Sequence, residues 1–112
     1  MRGIASTLLK EETISLVVTR SRERGFQEPT KEVISILNDV LNLLREKWSL
    51  ILFVNPSEYG GFMIELEIDG SYINIEVFND GEAIALIRIE ESRSVLQFKS
   101  NDVINFIESI IR

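Results

Sequence analysis

The residues of this chain that could do chemistry are carboxylates near its middle. They are Glu58, Glu65, Glu67, Asp69 and Glu76. Two carboxylates on either side of a cleft can act as general acid and general base in a hydrolysis, and a group of carboxylate oxygens can bind a hard cation. The sequence has no EF-hand spacing, and the alternating pattern around these residues predicts a flat sheet face without a cleft. We therefore predict no catalytic residue, no metal site and no cofactor.

The missing residue types exclude whole classes of sites. The 112 residues include no cysteine and no histidine. Thiolate nucleophiles, disulfides, Ser-His-Asp and Cys-His sites and the usual zinc sites are therefore excluded. The chain also has no Walker loop and no Gly-x-Gly-x-x-Gly run. A general base would have to be a carboxylate, a lysine or a tyrosine.

The net charge of −6 is unevenly spread along the chain. Residues 1–47 carry eight Lys/Arg against seven Asp/Glu, and residues 48–112 carry four against eleven. An acidic half argues against nucleic-acid binding and favours a basic partner or plain solvation. The apolar run Leu50–Val54 is too short to span a bilayer, and no signal peptide is visible. We expect a cytoplasmic protein with no nucleic-acid or membrane partner.

The stretch from Phe62 to Glu90 positions these carboxylates, because it alternates apolar and polar residues as strands with one buried face do. Asp69-Gly70 predicts a two-residue hairpin loop, and Asn79-Asp80-Gly81 predicts a three-residue loop. Both loops give one consistent register, with Arg88 beside Tyr72. The predicted core-facing pairs are Leu66–Ile73, Ile64–Ile75, Phe62–Val77, Val77–Ala83, Ile75–Ala85 and Ile73–Ile87.

Two amphipathic helices are predicted to flank these strands. The first begins after Thr30, which can cap it, and its apolar stripe has helical spacing. That stripe consists of Val33, Ile36, Leu37, Val40, Leu41, Leu44 and Trp48. The second is a terminal helix that Ser100 or Asn101 would cap, with Val103, Phe106 and Ile107 buried.

The other segments give weaker patterns. The β-branched run Ile14–Thr19 favours a strand, and Arg20–Gly25 reads as a solvated, flexible link. Leu50–Val54 predicts a strand buried on both sides, Glu91–Arg93 a turn, and Ser94–Lys99 a further strand with Leu96 and Phe98 inward.

The elements together predict an α+β fold: an antiparallel four- to five-stranded meander with two amphipathic helices packed on one face. We expect residues 1–28 to be a poorly defined N-terminal segment and residues 29–112 to be a single domain.

The outer face of this sheet is the predicted partner-binding surface, because it mixes apolar and acidic residues where a solvated face would be polar. Its predicted binding residues are Met63, Glu65, Glu67, Tyr72, Glu76, Phe78, Ile84, Leu86 and Arg88. The alternative is that residues 1–20 fold over this face and make it ordinary core.

The segment Lys31–Gly81 resembles small uncharacterised bacterial α+β proteins encoded among toxin, antitoxin and phage-defence genes. The shared features are a helix, a strand Ile64-Glu65-Leu66-Glu67-Ile68 led by Gly60-Gly61, a strand Ile73-Asn74-Ile75-Glu76-Val77 and an Asp-Gly turn. The resemblance implies a binding protein and assigns no functional residue.

Three hypotheses about function follow. The first is an acidic, non-enzymatic protein-binding module of the antitoxin, immunity or inhibitor type, which uses the outer sheet face or a strand edge. The second is a homo-oligomeric structural module, such as a homodimer, with a self-complementary outer face. The third is a small hydrolase or ligand binder that uses Glu65, Glu67 and Tyr72.

Overall fold

The computed structural model describes residues 7–111, with side chains from residue 10 onward. These residues form an α+β fold with a five-stranded antiparallel meander, so the predicted class is confirmed. The strands lie in sequence order across the sheet. The elements are α1 (Thr7–Glu23), α2 (Lys31–Leu43), β1 (Ile51–Pro56), β2 (Gly61–Ile68), β3 (Ser71–Phe78), β4 (Glu82–Ile89), β5 (Ser92–Lys99) and α3 (Val103–Ile110).

The register of the central three strands is the predicted one. Ile75, at its centre, lies opposite Ile64 on β2 and Ala85 on β4. Asp69 and Gly70 have φ values of 50° and 84°, as a primed two-residue turn requires. Gly81 closes the second loop with φ 92°. The two turns thus place the alternate residues of β2, β3 and β4 on the faces that the sequence indicated.

The core lies between the inner sheet face and the helices. Helix α2 begins where predicted, with the Thr30 hydroxyl accepting a hydrogen bond from the Val33 amide at 3.2 Å. Both α2 and α3 place apolar residues in the same buried cluster as β2, β3 and β4. The largest fully buried side chains are Phe62, Leu37, Leu41, Leu44, Ile64, Leu66, Ile75 and Ile107. Trp48 is buried too, but from a short 3-10 turn after α2 rather than from the helix itself.

The strand predicted for Ile14–Thr19 is wrong, because these residues belong to α1. Val17 is buried in the common core, Ile14 packs against it, and Ser21 is fully buried one turn on. This three-four spacing is a narrow helical stripe, and tertiary burial has overridden the β propensity of the run. The flexible link predicted from Arg20 is wrong for Arg20–Glu23, which are the end of α1.

The apolar run Leu50–Val54 is not buried on both sides, because β1 is an edge strand. Leu52 is 46% and Phe53 37% exposed, and the pairing of β1 with β2 skips Leu52. The predicted turn Glu91–Arg93 is also displaced, since the loop is Glu90-Glu91 and β5 begins at Ser92.

The second predicted helix starts later than expected. A 3-10 turn, Ser100–Asp102, precedes α3, and the residue before α3, Asp102, makes no side-chain capping bond. The predicted cap by Ser100 or Asn101 is therefore wrong. Phe98 does point toward the helices, with its ring centroid 5.2 Å from that of Phe106.

The loop between β1 and β2 meets the β3–β4 turn in very tight packing. A Cβ on Gly61 would lie 1.8 Å from the Val77 carbonyl oxygen, and one on Gly60 would lie 2.0 Å from the Asn79 Nδ2. That Asn79 amide donates to the Glu28 carbonyl at 2.8 Å and accepts from the Thr30 amide at 2.9 Å. One side chain therefore joins the start of α2 to the sheet.

The stripe on α2 leads to a first prediction. Leu41→Ala should lower the free energy of unfolding by roughly 2–5 kcal/mol, because a fully buried leucine leaves a cavity. Its exposed neighbour is the control: Asn42→Ala should change it by about 0.5 kcal/mol or less. Urea melts of both variants measure the difference, and equal losses would contradict the buried face.

The tight packing at Gly61 leads to a second prediction. Gly61→Ala should cost roughly 3 kcal/mol or more, because its Cβ would strike backbone at a residue with φ 117°. Gly70 is the matched control, because its φ is 84° and a Cβ at this residue would have no atom within 4 Å. Gly70→Ala should cost only about 1–2 kcal/mol, the strain of the left-handed backbone. Urea melts with similar losses would refute the steric argument.

Candidate functional site

The outer face of the sheet is the side turned away from α2 and α3. Register assigns its residues, since directly paired residues share a face. One row across the strands is Asn55, Met63, Glu76, Ile84 and Gln97. The next row is Phe53, Glu65, Asn74, Leu86 and Val95. The third is Glu67, Tyr72, Arg88 and Arg93. All nine residues predicted for partner binding lie on this face, with Phe78 at the end of β3 beside Glu82.

Helix α1 does not cover this face. It packs against α2 and against β1 at the edge of the sheet, and Val17 joins the inner core. Near its end, the Arg20 guanidinium donates to the Asn55 side chain at 3.4 Å. The alternative in which residues 1–20 fold over the outer face is therefore wrong for residues 7–20, and residues 1–6 lie outside the described part of the chain.

Apart from Phe53 on the edge strand β1, the aliphatic and phenylalanine side chains of the outer face lie on β2 to β5. We call this group the apolar patch: Met63, Phe78, Ile84, Leu86 and Val95. Leu86 and Val95 lie directly opposite each other on β4 and β5. Val95 is 61% exposed, while the other members are partly buried by their neighbours. Because no helix of residues 7–111 packs on this face, the patch faces outward.

An open depression of about 340 Å³ lies at the Phe78 end of the patch. It is lined by Tyr59, Phe78, Asp80, Glu82, Ala83, Ile84 and Gln97. The lining combines an aromatic wall with two carboxylates. Glu65, Glu67 and Tyr72, the residues of the hydrolase hypothesis, do not line this depression.

The predicted carboxylates occupy β2 and the neighbouring half of β3. Glu65 accepts a hydrogen bond from the Asn74 amide at 3.2 Å, and Glu76 accepts one from the hydroxyl of the fully buried Ser57 at 2.6 Å. These neutral donors orient the carboxylates but leave their charge uncompensated. Neither residue, nor Glu67, makes an ion pair with another described residue.

The predicted row of Glu67, Tyr72 and Arg88 is formed. The guanidinium carbon of Arg88 lies 5.2 Å from the Tyr72 ring centroid, which is the distance of a cation–π contact. Tyr72 is thus engaged across the strands, with its ring covered by a cation rather than aimed into a cleft.

The opposite half of the outer face carries most of its cations. Arg88, Arg93 and Lys99 lie on β4 and β5. Lys99 pairs with Glu82, and the hydrogen bond and charge of that carboxylate raise the pKa of Lys99. The carboxylates of the outer face therefore lie mainly on β2 and β3 and its cations on β4 and β5, while the apolar patch extends across all four strands.

Sequence reasoning missed several residues of this face. Val95 and Gln97 were detectable, because inward Leu96 and Phe98 imply that their neighbours point outward. Tyr59 is 68% exposed in the loop before β2. A loop has no alternating pattern from which the position of its side chains could be predicted. The position of Tyr59 over the depression depends on the fold of that loop.

Within residues 10–111, nowhere do three or more carboxylates come together as metal ligands could. None of the helices in residues 7–111 is long and apolar enough to cross a membrane. The face offers apolar side chains among carboxylates and cations, a composition typical of protein interfaces.

Comparison with protein-family models, with curated proteins and with solved structures gave no match.

Proposed function

We propose that this protein is a non-enzymatic binding module that holds a partner protein against the outer face of its sheet. The observation that carries the proposal is the apolar patch, which faces outward although the inner face already buries the core. Complete burial of a large apolar side chain is worth roughly 1.5–3 kcal/mol, and a partner would supply the part of it that Phe78 and Leu86 lack, since both are only partly buried in the free protein. A partner that covers both gains a central anchor, as interfaces usually have.

The charges around the patch define the partner's chemistry. Glu65, Glu67 and Glu76 form an acidic strip without ion pairs to described residues. A partner with apolar side chains at its centre and Lys or Arg beside them would complement this strip. Attraction between unlike charges speeds encounter and rejects acidic competitors. The residues from 48 onward, which include the whole sheet, are strongly acidic, and this favours the same basic partner.

An antitoxin, immunity or inhibitor role is the class of function that fits such a surface. Proteins of these kinds act by occupying a surface of their target, and they need no catalytic group of their own. The chain's lack of histidine and cysteine agrees with this role.

The third prediction tests the apolar patch. Phe78→Ser combined with Leu86→Ser should abolish capture of a basic protein from an extract of the native host, because the anchor of the interface is lost. The unfolding free energy should fall by roughly 1–3 kcal/mol, because both side chains are already partly buried by their neighbours, but unfolding should stay cooperative. Pull-down with quantitative mass spectrometry and urea melts make the two measurements.

The control for this variant also replaces two large apolar residues with serine, but at positions outside the outer face. Leu16 and Ile89 are about half exposed and lie outside the outer face. Leu16→Ser combined with Ile89→Ser should capture the same protein as the wild type. A cooperatively folded patch variant that still captures this protein would show that the patch is not the interface.

The fourth prediction tests the acidic strip. Glu67→Lys should slow association with the captured partner and weaken its dependence on salt, while dissociation changes little, because exposed charges act mainly on encounter. Stopped-flow or surface binding kinetics at two ionic strengths measure both rates. Glu23→Lys, on the exposed end of α1, is the control for net charge, and an equal effect there would refute a localised acidic strip.

A further inference from the structure

Strand β5 forms an unprotected edge of the sheet. It pairs with β4 on one side, and no element of residues 7–111 pairs with its other side. Seven of its eight residues are exposed, all but Phe98; they include Val95, which is 61% exposed, and Leu96, which is 43% exposed. The opposite edge differs, because β1 has an irregularity at Leu52 and α1 packs against it.

The β4–β5 turn determines which backbone groups point outward. The loop is two residues long, so the flanking pair, Ile89 and Ser92, is hydrogen-bonded. Hydrogen-bonded pairs then alternate along the ladder, and the even-numbered residues of β5 bond to β4. The amides and carbonyls that point away from the sheet therefore belong to Arg93, Val95, Gln97 and Lys99.

These outward groups have none of the usual protection. Natural edge strands are blocked by proline, by a bulge or by a central charged residue. Strand β5 has no proline, its pairing with β4 is unbroken over eight residues, and its charges are confined to Arg93 and Lys99 near the two ends. The centre, Ser94–Phe98, is uncharged and regular, which is the form of a strand that can accept another strand.

We propose that β5 pairs antiparallel with β5 of a second copy of this chain, with Val95 opposite Val95 of that copy. A two-fold axis perpendicular to the sheet keeps both outer faces on the same side. Paired residues must then point to the same face, so the two residue numbers of every pair add up to the same even number. Hydrogen bonding is possible at Val95, since its amide and carbonyl point outward. The two sheets would join into one of ten strands.

Charge selects this register. With Val95 on the axis, Glu91 of each copy lies opposite Lys99 of the other, and Arg93 lies opposite Gln97. With Leu96 on the axis, Arg93 would lie opposite Lys99 twice, and like charges directly opposite each other are destabilising. Axes at Ser94 or Gln97 oppose no unlike charges. The Val95 register is therefore the favoured one of the four.

The pairing would also join the two apolar patches. Val95 lies beside Leu86 on the outer face, so the row Leu86–Val95 of one copy would continue into Val95–Leu86 of the other. The inference rests on the edge and does not require the proposed function.

The fifth prediction uses the absence of cysteine in the native sequence. In Val95→Cys, the thiols of two copies would sit on paired residues with Cα atoms about 5.5 Å apart, within disulfide reach. Mild oxidation should give a disulfide-linked dimer, which non-reducing electrophoresis detects. Gln97→Cys is the control on the same edge. Its two copies would be offset by four residues, or about 13 Å along the strands, and should cross-link poorly.

A second variant tests the backbone hydrogen bonds. Gln97→Pro removes an outward amide without removing a bond to β4, so the fold should persist while dimerisation weakens by at least about tenfold in dissociation constant. Sedimentation equilibrium measures the dissociation constant of the dimer, and circular dichroism measures whether the fold persists. The Phe78→Ser, Leu86→Ser variant should still dimerise, which separates this proposal from the proposed function. A wild type that stays monomeric as its concentration rises, or equal cross-linking at positions 95 and 97, would overturn it.

Discussion

The side-chain amide of Asn79 is the contact on which the relation of helices to sheet depends. It bonds to the backbone on both sides of Pro29, through the Glu28 carbonyl and the Thr30 amide, and it lies against Gly60. Thr30 in turn caps α2. The start of the central helix, the β3–β4 turn and the loop before β2 are thus held at one point. Because α2 lies between α1 and α3, the position of this one helix orders the whole inner layer.

The second constraint is the length of the loops in the meander, which decides the sheet face on which each residue lies. Loops of two, three and two residues join β2 to β5, and a change of one residue in any of them would exchange the two faces of the next strand. The inner face collects the core, and the outer face is left with carboxylates, cations and the apolar patch. Surface and core are therefore fixed by the same turns, and the candidate interface follows directly from the way the core is formed.

The residues of the turns made the central strands predictable. The remaining elements depend on contacts between distant segments, which the sequence does not reveal. Asp69-Gly70 and Gly81 specify their turns. The predicted register was right because a shifted first loop would place Glu65 opposite Glu76, and a shorter second loop would place Arg88 on the core face. Helix α1 was missed because it gives the core little beyond Ile14 and Val17, too few residues to show a period. Leu50–Val54 was misread because an apolar run does not reveal whether its strand is central or at an edge. Val95 was overlooked because the pairing of β5 with β4 was not predicted, although Leu96 and Phe98 were predicted to point inward. The Asn79 contact joins residues 49 and 51 positions apart and has no local signal.

The strand order also has a kinetic consequence. Each strand pairs with its neighbour in sequence, so the sheet can form through short loop closures with small entropic barriers. The helix α2 is made before the strands on the ribosome, yet its docking contact, Asn79, arrives much later. Helix α3, which completes the inner layer, is synthesised after the strands. We therefore expect the meander to condense early with its inner face still open, and the docking of the helices, rather than strand pairing, to limit the rate of folding.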